Sequence, residues 1–181
     1  MMKTKLKDFV QHRYHEVEDE DEAARYLDDA LPLIGIVVMY FNQLEKHLDD
    51  AICSLISSRS DAMGLLVIHG MAYGAKVELF KRISDDLHSM IQRIPPSYKG
   101  LHDALKKMGN LRNLVVHADW VNTDESGYTY IRAKIIGDGG IAQEYAQLTA
   151  DSLSIVIDEI SDTQGQLEAY IDERDNPSER E

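Results

Sequence analysis

Apolar side chains recur every three or four residues through most of this sequence, and this helical period is interrupted once. From Tyr128 to Leu148 the pattern changes to alternation, on both sides of the turn Gly137-Asp138-Gly139-Gly140. Alternating segments joined by a glycine-rich turn are typical of a β-hairpin. We therefore predict a mainly α protein, a bundle of four to five helices with one small β-hairpin at about 128–148, inserted before the last helix.

The helical period predicts the bounds of the separate helices. These are about 18–30, 32–57, 61–94 with a break near Gly70, 97–121 and 149–173. The second helix is predicted to begin near Pro32, because proline is favoured in a first turn. The break in the third is expected at His69-Gly70, where glycine weakens the helix.

The length of 181 residues predicts one domain, which we place at 18–173. Residues 1–17 are expected to form a flexible N-terminal arm, and 174–181 a disordered tail. The one cysteine, Cys53, cannot form an intrachain disulfide and is interpreted as an inert core residue. The longest apolar run, Leu31 to Phe41, is too short to span a bilayer. A cytoplasmic location without a membrane partner is therefore expected.

The charge of the chain restricts how it could bind nucleic acid. It has 19 Lys and Arg against 32 Asp and Glu, a formal net charge of −13. Affinity for phosphates depends on Lys and Arg displacing counterions, so a broad electrostatic field for RNA is excluded. Any contact with RNA must be local.

The fourth predicted helix has two unlike faces. One face is apolar and predicts a core contact; it carries Ala104, Met108, Leu111, Leu114, Val115 and Ala118. The opposite face carries Lys106, Asn110, Asn113 and His117, bordered by His102, Gly109, Val116 and Trp120. Small, aromatic and amide residues together favour a packed contact with another subunit. We therefore predict a homodimer, with Gly109, Val116 and Trp120 at the interface.

The segment Arg112-Asn113-Leu114-Val115-Val116-His117 lies toward the end of this helix. This segment resembles the motif of the HEPN domains, in which four residues separate an arginine from a histidine and a polar residue follows the arginine. These are small helical bundles of bacterial toxins, defence systems and CRISPR-associated ribonucleases. By helix pattern the resemblance covers about 30–120 and the last helix. It implies a HEPN-like bundle that dimerises so that the two motif helices face each other.

The resemblance also implies a function, that of a metal-independent endoribonuclease without cofactor. Such a protein could act as a toxin or phage-defence effector, restrained by an antitoxin or regulatory protein. His117 would be the general acid or base. Arg112 would hold the scissile phosphate, and Asn113 would orient the histidine or a phosphate oxygen. Further candidates for contacts with the RNA substrate are Lys76, Lys106 and Asn110.

Structural interpretations of the same residues remain open. His117 could be a hydrogen-bonded histidine between helices, and Arg112 could be paired with a carboxylate, Glu45 or Asp49. In that case the chain would be a non-catalytic, HEPN-like homodimeric module that binds RNA, a nucleotide or a protein. Glu45 and Asp49 share one helix face, but an ordinary polar stripe is a better interpretation of them than a metal site.

Overall fold

In the computed structural model of the chain, five α-helices and one antiparallel sheet account for most of the residues that the structure describes, which are 6–10, 19–124, 126–136 and 140–176. The helices are α1 (Glu20–Ile56), α2 (Asp61–Ile68), α3 (Tyr73–Ile91), α4 (Leu101–His117) and α5 (Ala150–Asp175). The strands are β1 (Leu6–Val10), β2 (Asp119–Thr123), β3 (Tyr128–Ile136) and β4 (Gly140–Gln147). A single 3-10 turn, Pro96–Tyr98, precedes α4. The prediction of a mainly helical chain with a β-hairpin before its last helix is confirmed.

The chain forms two compact units, and three of the helices belong partly to each. Unit 1 consists of Met1–Val38 and Leu111–Ile157, and unit 2 of Met39–Asn110 and Asp158–Glu181. Unit 1 contains the sheet, in the order β1-β4-β3-β2. Its buried apolar residues are Ala30, Val37, Val115, Ala142, Tyr145, Ala146, Leu148, Leu153 and Val156. Unit 2 is helical, and its largest fully buried side chains are Phe80, Leu44, Leu48, Ile52, Leu101, Leu105, Met108, Ile160, Leu167 and Tyr170.

Within unit 1 the hairpin is anchored to α1. Strands β3 and β4 pair from Tyr128 opposite Gln147 onward; the predicted turn residues 137–139 lie outside the described residues. The turn that leads into β3 brings Gly127, with a φ of +77°, against the ring of Tyr26. The Tyr26 hydroxyl donates a hydrogen bond to the carbonyl of Leu148. Burial, and to a lesser extent the carboxylate of Asp124, raises the pKa of Tyr26 to about 12.

Helix α1 begins at Glu20, near the predicted start, but continues through Pro32, where a new helix was predicted to begin. Asp19 caps it, because its carboxylate accepts the backbone N–H of Glu22 at 2.9 Å. The acidic first turn, Glu20 to Glu22, lies at the positive end of the helix dipole. Pro32 removes one backbone donor, but both Pro32 and Asp28, whose carbonyl loses that donor, are exposed to solvent. The separate helices predicted for 18–30 and 32–57 are therefore one helix.

Helix α4 ends four residues before its predicted end. Residues Asp119 and Thr123 pair with β3, so the chain leaves the helix for the sheet immediately after His117. The indole N–H of Trp120 donates to the carbonyl of Val115 at 2.8 Å. This bond satisfies one of the carbonyls that a helix leaves unpaired in its last turn. The run Trp120 to Thr123 is aromatic and β-branched, a strand signal that the helical interpretation missed.

The break predicted at His69-Gly70 within the third helix is confirmed. Helix α2 ends at Ile68 and α3 begins at Tyr73, with Gly70 at a φ of +72° between them. Cys53 is buried as predicted, and burial raises the pKa of its thiol. A Cβ on Gly64 would lie 2.5 Å from the Cα of Cys53. Glycine is therefore needed where α2 crosses α1.

The ends of the chain differ from the predicted arm and tail. Of 1–17, the structure describes Leu6–Val10, which is not a free arm but pairs with β4 along its whole length. Arg174 and Asp175 belong to α5, and the guanidinium of Arg174 donates to the Ser54 hydroxyl at 3.1 Å. Residues 177–181 of the predicted tail lie outside the described residues.

Among the described residues one helix, α1, is long and apolar enough to cross a membrane by length and composition. Its most apolar window has a mean hydropathy of 1.2, and 22% of that window is buried. Core helices pass the same test, and α1 buries Val37 and Phe41 while Leu31 and Met39 stay exposed. The finding is weak evidence for a membrane span.

Candidate functional site

The last turns of α4, in unit 1, carry the Arg112–His117 segment. Val115 is fully buried and fixes the face that the helix turns to the core. A single residue, Ala118, separates His117 from the first residue of β2. The start of the sheet and the bond from Trp120 to the Val115 carbonyl therefore hold the end of the helix in place.

Asn113 and His117 lie on the side of α4 away from Val115, and Arg112 lies at the border between that side and the core face. Asn113 and His117 are exposed, and because they are four residues apart on a helix they are neighbours. Arg112 is partly buried, and its Nη1 donates to Oδ1 of Asn113 at 3.0 Å. Within the part of the chain that the structure describes, the His117 imidazole makes no hydrogen bond or ion pair. The arrangement offers an accessible imidazole next to Asn113, and the Asn113 amide oxygen in turn accepts from the Arg112 guanidinium.

Two of the predicted interface residues border this group. Val116 is 37% exposed, a large apolar side chain next to His117. Trp120 is partly exposed on β2, so it reaches this surface from a strand and not from the helix as predicted. Their contact with a second subunit stays a prediction.

Gly109, the third predicted interface residue, is buried within its own chain. In unit 2 it lies under the ring of Tyr73, and an added Cβ would come within 2.8 Å of the ring carbon Cε1. The Tyr73 hydroxyl donates to the Leu105 carbonyl at 3.0 Å, which holds the ring across α4. Gly109 is therefore a site of close packing between α3 and α4 and is not free to meet another subunit.

The predicted substrate-binding residues Lys106, Asn110 and Lys76 all belong to unit 2. Asn110 is exposed. The ammonium of Lys106 lies 3.0 Å from the carboxylate of Glu78. Hydrogen bonds from Lys106 and then from His102 lower the pKa of Glu78. Lys106 is thus already paired with an anion.

Lys76 forms an ion cluster with Glu45 and Asp49. Its side chain is 10% exposed, and Nζ donates to both carboxylates at 2.8 Å. Burial opposes the charged form, but the hydrogen bonds to Asp49 and Glu45 outweigh it and raise the pKa of the Lys76 ammonium. The cluster explains the acidic stripe of α1 and argues against a phosphate-binding role for Lys76. The pairing of Glu45 with Arg112 stays a prediction.

Among the described residues, no group of three or more His, Cys, Asp and Glu side chains is placed to hold a metal ion. Glu45 and Asp49 surround an ammonium group instead, as their hydrogen bonds to Lys76 show. Comparison of the chain with protein-family models, with curated proteins and with solved structures found no significant match in any of the three.

Proposed function

We propose that this chain is a metal-independent endoribonuclease of the HEPN type, which acts as a homodimer with a cleft lined by Arg112 and His117 of both subunits. The observation that carries the proposal is the accessible His117 imidazole one helical turn from Asn113, whose amide oxygen accepts a hydrogen bond from the Arg112 guanidinium. The resemblance of this segment to the HEPN motif supplies the type of reaction.

Each member of the group has one role in the proposed reaction. The 2′-hydroxyl of an RNA ribose attacks the adjacent phosphorus, and the P–O5′ bond breaks to leave a cyclic phosphate and a free 5′-hydroxyl. A proton leaves O2′ as this oxygen attacks, and a proton joins O5′ as the P–O5′ bond breaks; His117 carries out one of these two transfers and solvent water the other. Arg112 binds the scissile phosphate and stabilises the added negative charge of the transition state. Asn113 orients the guanidinium through the bond from Nη1 to Oδ1.

The setting that we propose is the cytoplasm of a bacterial cell, where the chain is a toxin or a phage-defence effector. An antitoxin or another regulatory protein would restrain its activity. The net charge of −13 supports local contacts with RNA over binding along an extended strand.

The proposed activity is tested by incubating the purified chain with labelled mixed RNA in excess EDTA. We expect cleavage in EDTA that leaves cyclic phosphate ends, because a histidine and an arginine can carry the reaction without a metal. Activity that EDTA abolishes and that magnesium or manganese restores would overturn the mechanism. Complete absence of cleavage under all these conditions would favour the alternative below.

A homodimer is the second expected outcome, with Trp120 at or near the interface. Val116 and Trp120 leave apolar surface exposed beside the motif, which a second copy would cover. Light scattering of the full chain at micromolar concentration should give twice the mass of 20.5 kDa. A mass of one chain would contradict the composite cleft.

The alternative function is a non-catalytic homodimeric module that binds RNA, a nucleotide or a protein. One observation favours it: Lys76 and Lys106, the two lysines expected to help bind substrate, are both paired with carboxylates. Under this alternative RNA or a nucleotide binds without being cut. A binding measurement beside the cleavage assay therefore separates the two functions.

A further inference from the structure

A buried histidine joins three elements of unit 2. His88 lies in the last turn of α3 and is 5% exposed. Its ring packs edge-on against Tyr98 of the 3-10 turn, at a centroid distance of 4.4 Å. On α5, the hydroxyl of Tyr170 lies 3.3 Å from its Nε2. We call these three residues, His88, Tyr98 and Tyr170, the histidine joint.

Next to the histidine joint, the 3-10 turn and α5 are also hydrogen-bonded directly to each other. The carboxylate of Glu173 accepts hydrogen bonds from the backbone N–H and the hydroxyl of Ser97, at 3.1 and 2.6 Å. The amide of Gln166 donates to the carbonyls of Ser97 and Lys99, at 2.8 and 3.0 Å. The end of α5 and the turn are thus fastened to each other, and the aromatic rings of the histidine joint connect both to α3.

The joint is built for a neutral imidazole. Nδ1 of His88 is buried and has no hydrogen-bond partner among the described residues. In either neutral tautomer Nε2 can share a proton with the Tyr170 hydroxyl. An imidazolium would need an acceptor at each nitrogen, and the proton on Nδ1 would have none.

The charged groups around the joint do not compensate a positive charge on His88. On α3, Asp85 attracts it, but this carboxylate already binds Lys81 and the Tyr98 hydroxyl. On the 3-10 turn, Tyr98 makes a T-shaped ring contact with His88 and supplies no anion. On α5, Tyr170 is neutral, and the nearby Arg174 and Asp175 act on it with opposite signs.

We propose that the histidine joint is a protonation-sensitive contact, in which the neutral imidazole of His88 holds α5 and the 3-10 turn against α3, and protonation releases them. The released part is the end of α5 from about Gln166 together with Pro96–Tyr98. This property of unit 2 does not depend on the proposed ribonuclease activity.

The direction of the pH effect follows from burial. Burial lowers the pKa of His88, and the attraction of Asp85 only partly offsets it. The folded state therefore binds this proton less well than the unfolded state. Above the ordinary histidine pKa of about 6.5, the joint contributes its full share to the free energy of unfolding. As the pH falls from there toward the lowered pKa of folded His88, this contribution is lost.

The test is urea unfolding of the full chain between about pH 7.5 and pH 5, a range that spans the ordinary histidine pKa. Below about pH 6.5, protonation of His88 should increase the unfolding equilibrium constant of the wild type by at most about tenfold for each pH unit. His88→Gln, which cannot titrate, should lose that part of the pH dependence. His69→Gln, which removes an exposed histidine, should keep it.

Two further measurements do not depend on the folding of the variant. In hydrogen exchange of the wild type, corrected for intrinsic rates, acidification should accelerate exchange first at the end of α5 and at the 3-10 turn. In NMR, the His88 ring should titrate below the ordinary range. An equal pH dependence in wild type and His88→Gln, or a His88 ring that titrates at or above about 6.5, would overturn the proposal.

Discussion

Replacement of His117 by alanine is expected to reduce RNA cleavage by about 10²–10⁴-fold, the usual contribution of general acid–base catalysis. The change removes the exposed imidazole and no hydrogen bond or ion pair that the described residues make with it. The free energy of unfolding should therefore stay nearly unchanged, as for other exposed positions. Initial rates on a labelled RNA in EDTA, beside a urea unfolding curve, measure the two effects separately.

A matched control for this change is His69→Ala. His69 is an exposed histidine at the end of α2, and no role in catalysis is assigned to it. Its replacement should leave cleavage at the level of the wild type. If His117→Ala retains the wild-type rate, the proposed role of the imidazole is wrong, whatever the oligomeric state of the protein.

Arg112→Lys should also lose most of the RNA cleavage, although it keeps the positive charge. A lysine ammonium is a point charge and cannot reproduce the planar grip of a guanidinium on a phosphate. It also loses the orienting geometry of the bond from Nη1 to Asn113. Cleavage by Arg112→Lys at the rate of the wild type would show that only the positive charge matters.

The largest effect on stability is expected from Lys76→Met in unit 2. The substitution keeps the apolar length of the side chain but leaves Glu45 and Asp49 without their shared cation. Breaking a buried ion pair from one side costs about 3–5 kcal/mol. Because the two carboxylates are 30% and 25% exposed, we expect about 2–3 kcal/mol in urea unfolding, below the range for a fully buried pair.

Lys46→Met provides the matched control on α1. Lys46 and Asp50 also form an ion pair at 2.8 Å, but their side chains are 72% and 63% exposed. Its loss should change stability far less than Lys76→Met, because water screens an exposed pair. Adding Glu45→Gln and Asp49→Asn to Lys76→Met should restore part of the stability. Equal effects of the two lysine changes would mean that the cluster contributes as an ordinary surface pair.

The sequence predicted those parts of the fold that depend on local signals. The alternating segments beside the turn predicted β3 and β4, and Gly70 predicted the break between α2 and α3. Pro32 led to the wrong prediction that a new helix begins there. Solvent exposure reduces the penalty that proline usually imposes inside a helix, so α1 continues through it. Strand β1 could not be recognised, because it owes its conformation to pairing with β4, distant in the sequence.

The candidate site was predictable to a similar degree. Helical spacing placed Asn113 and His117 side by side, and the burial of Val115 agrees with the predicted core face. The partners of Lys76 were not predictable, because they come from a helix about thirty residues earlier and only the tertiary fold brings them together. The burial of Gly109 under Tyr73 is of the same kind.

The single tryptophan of the chain gives unit 1 an optical signature of its own. Trp120 lies in unit 1, with its indole N–H bonded to the Val115 carbonyl beside the motif. In the histidine joint of unit 2, the aromatic residues that contact His88 are both tyrosines. Intrinsic indole fluorescence therefore reports on the end of α4 and the sheet without a label, whereas near-ultraviolet tyrosine signals also follow the joint. A change in the indole signal on acidification or on addition of RNA would therefore report a response of unit 1.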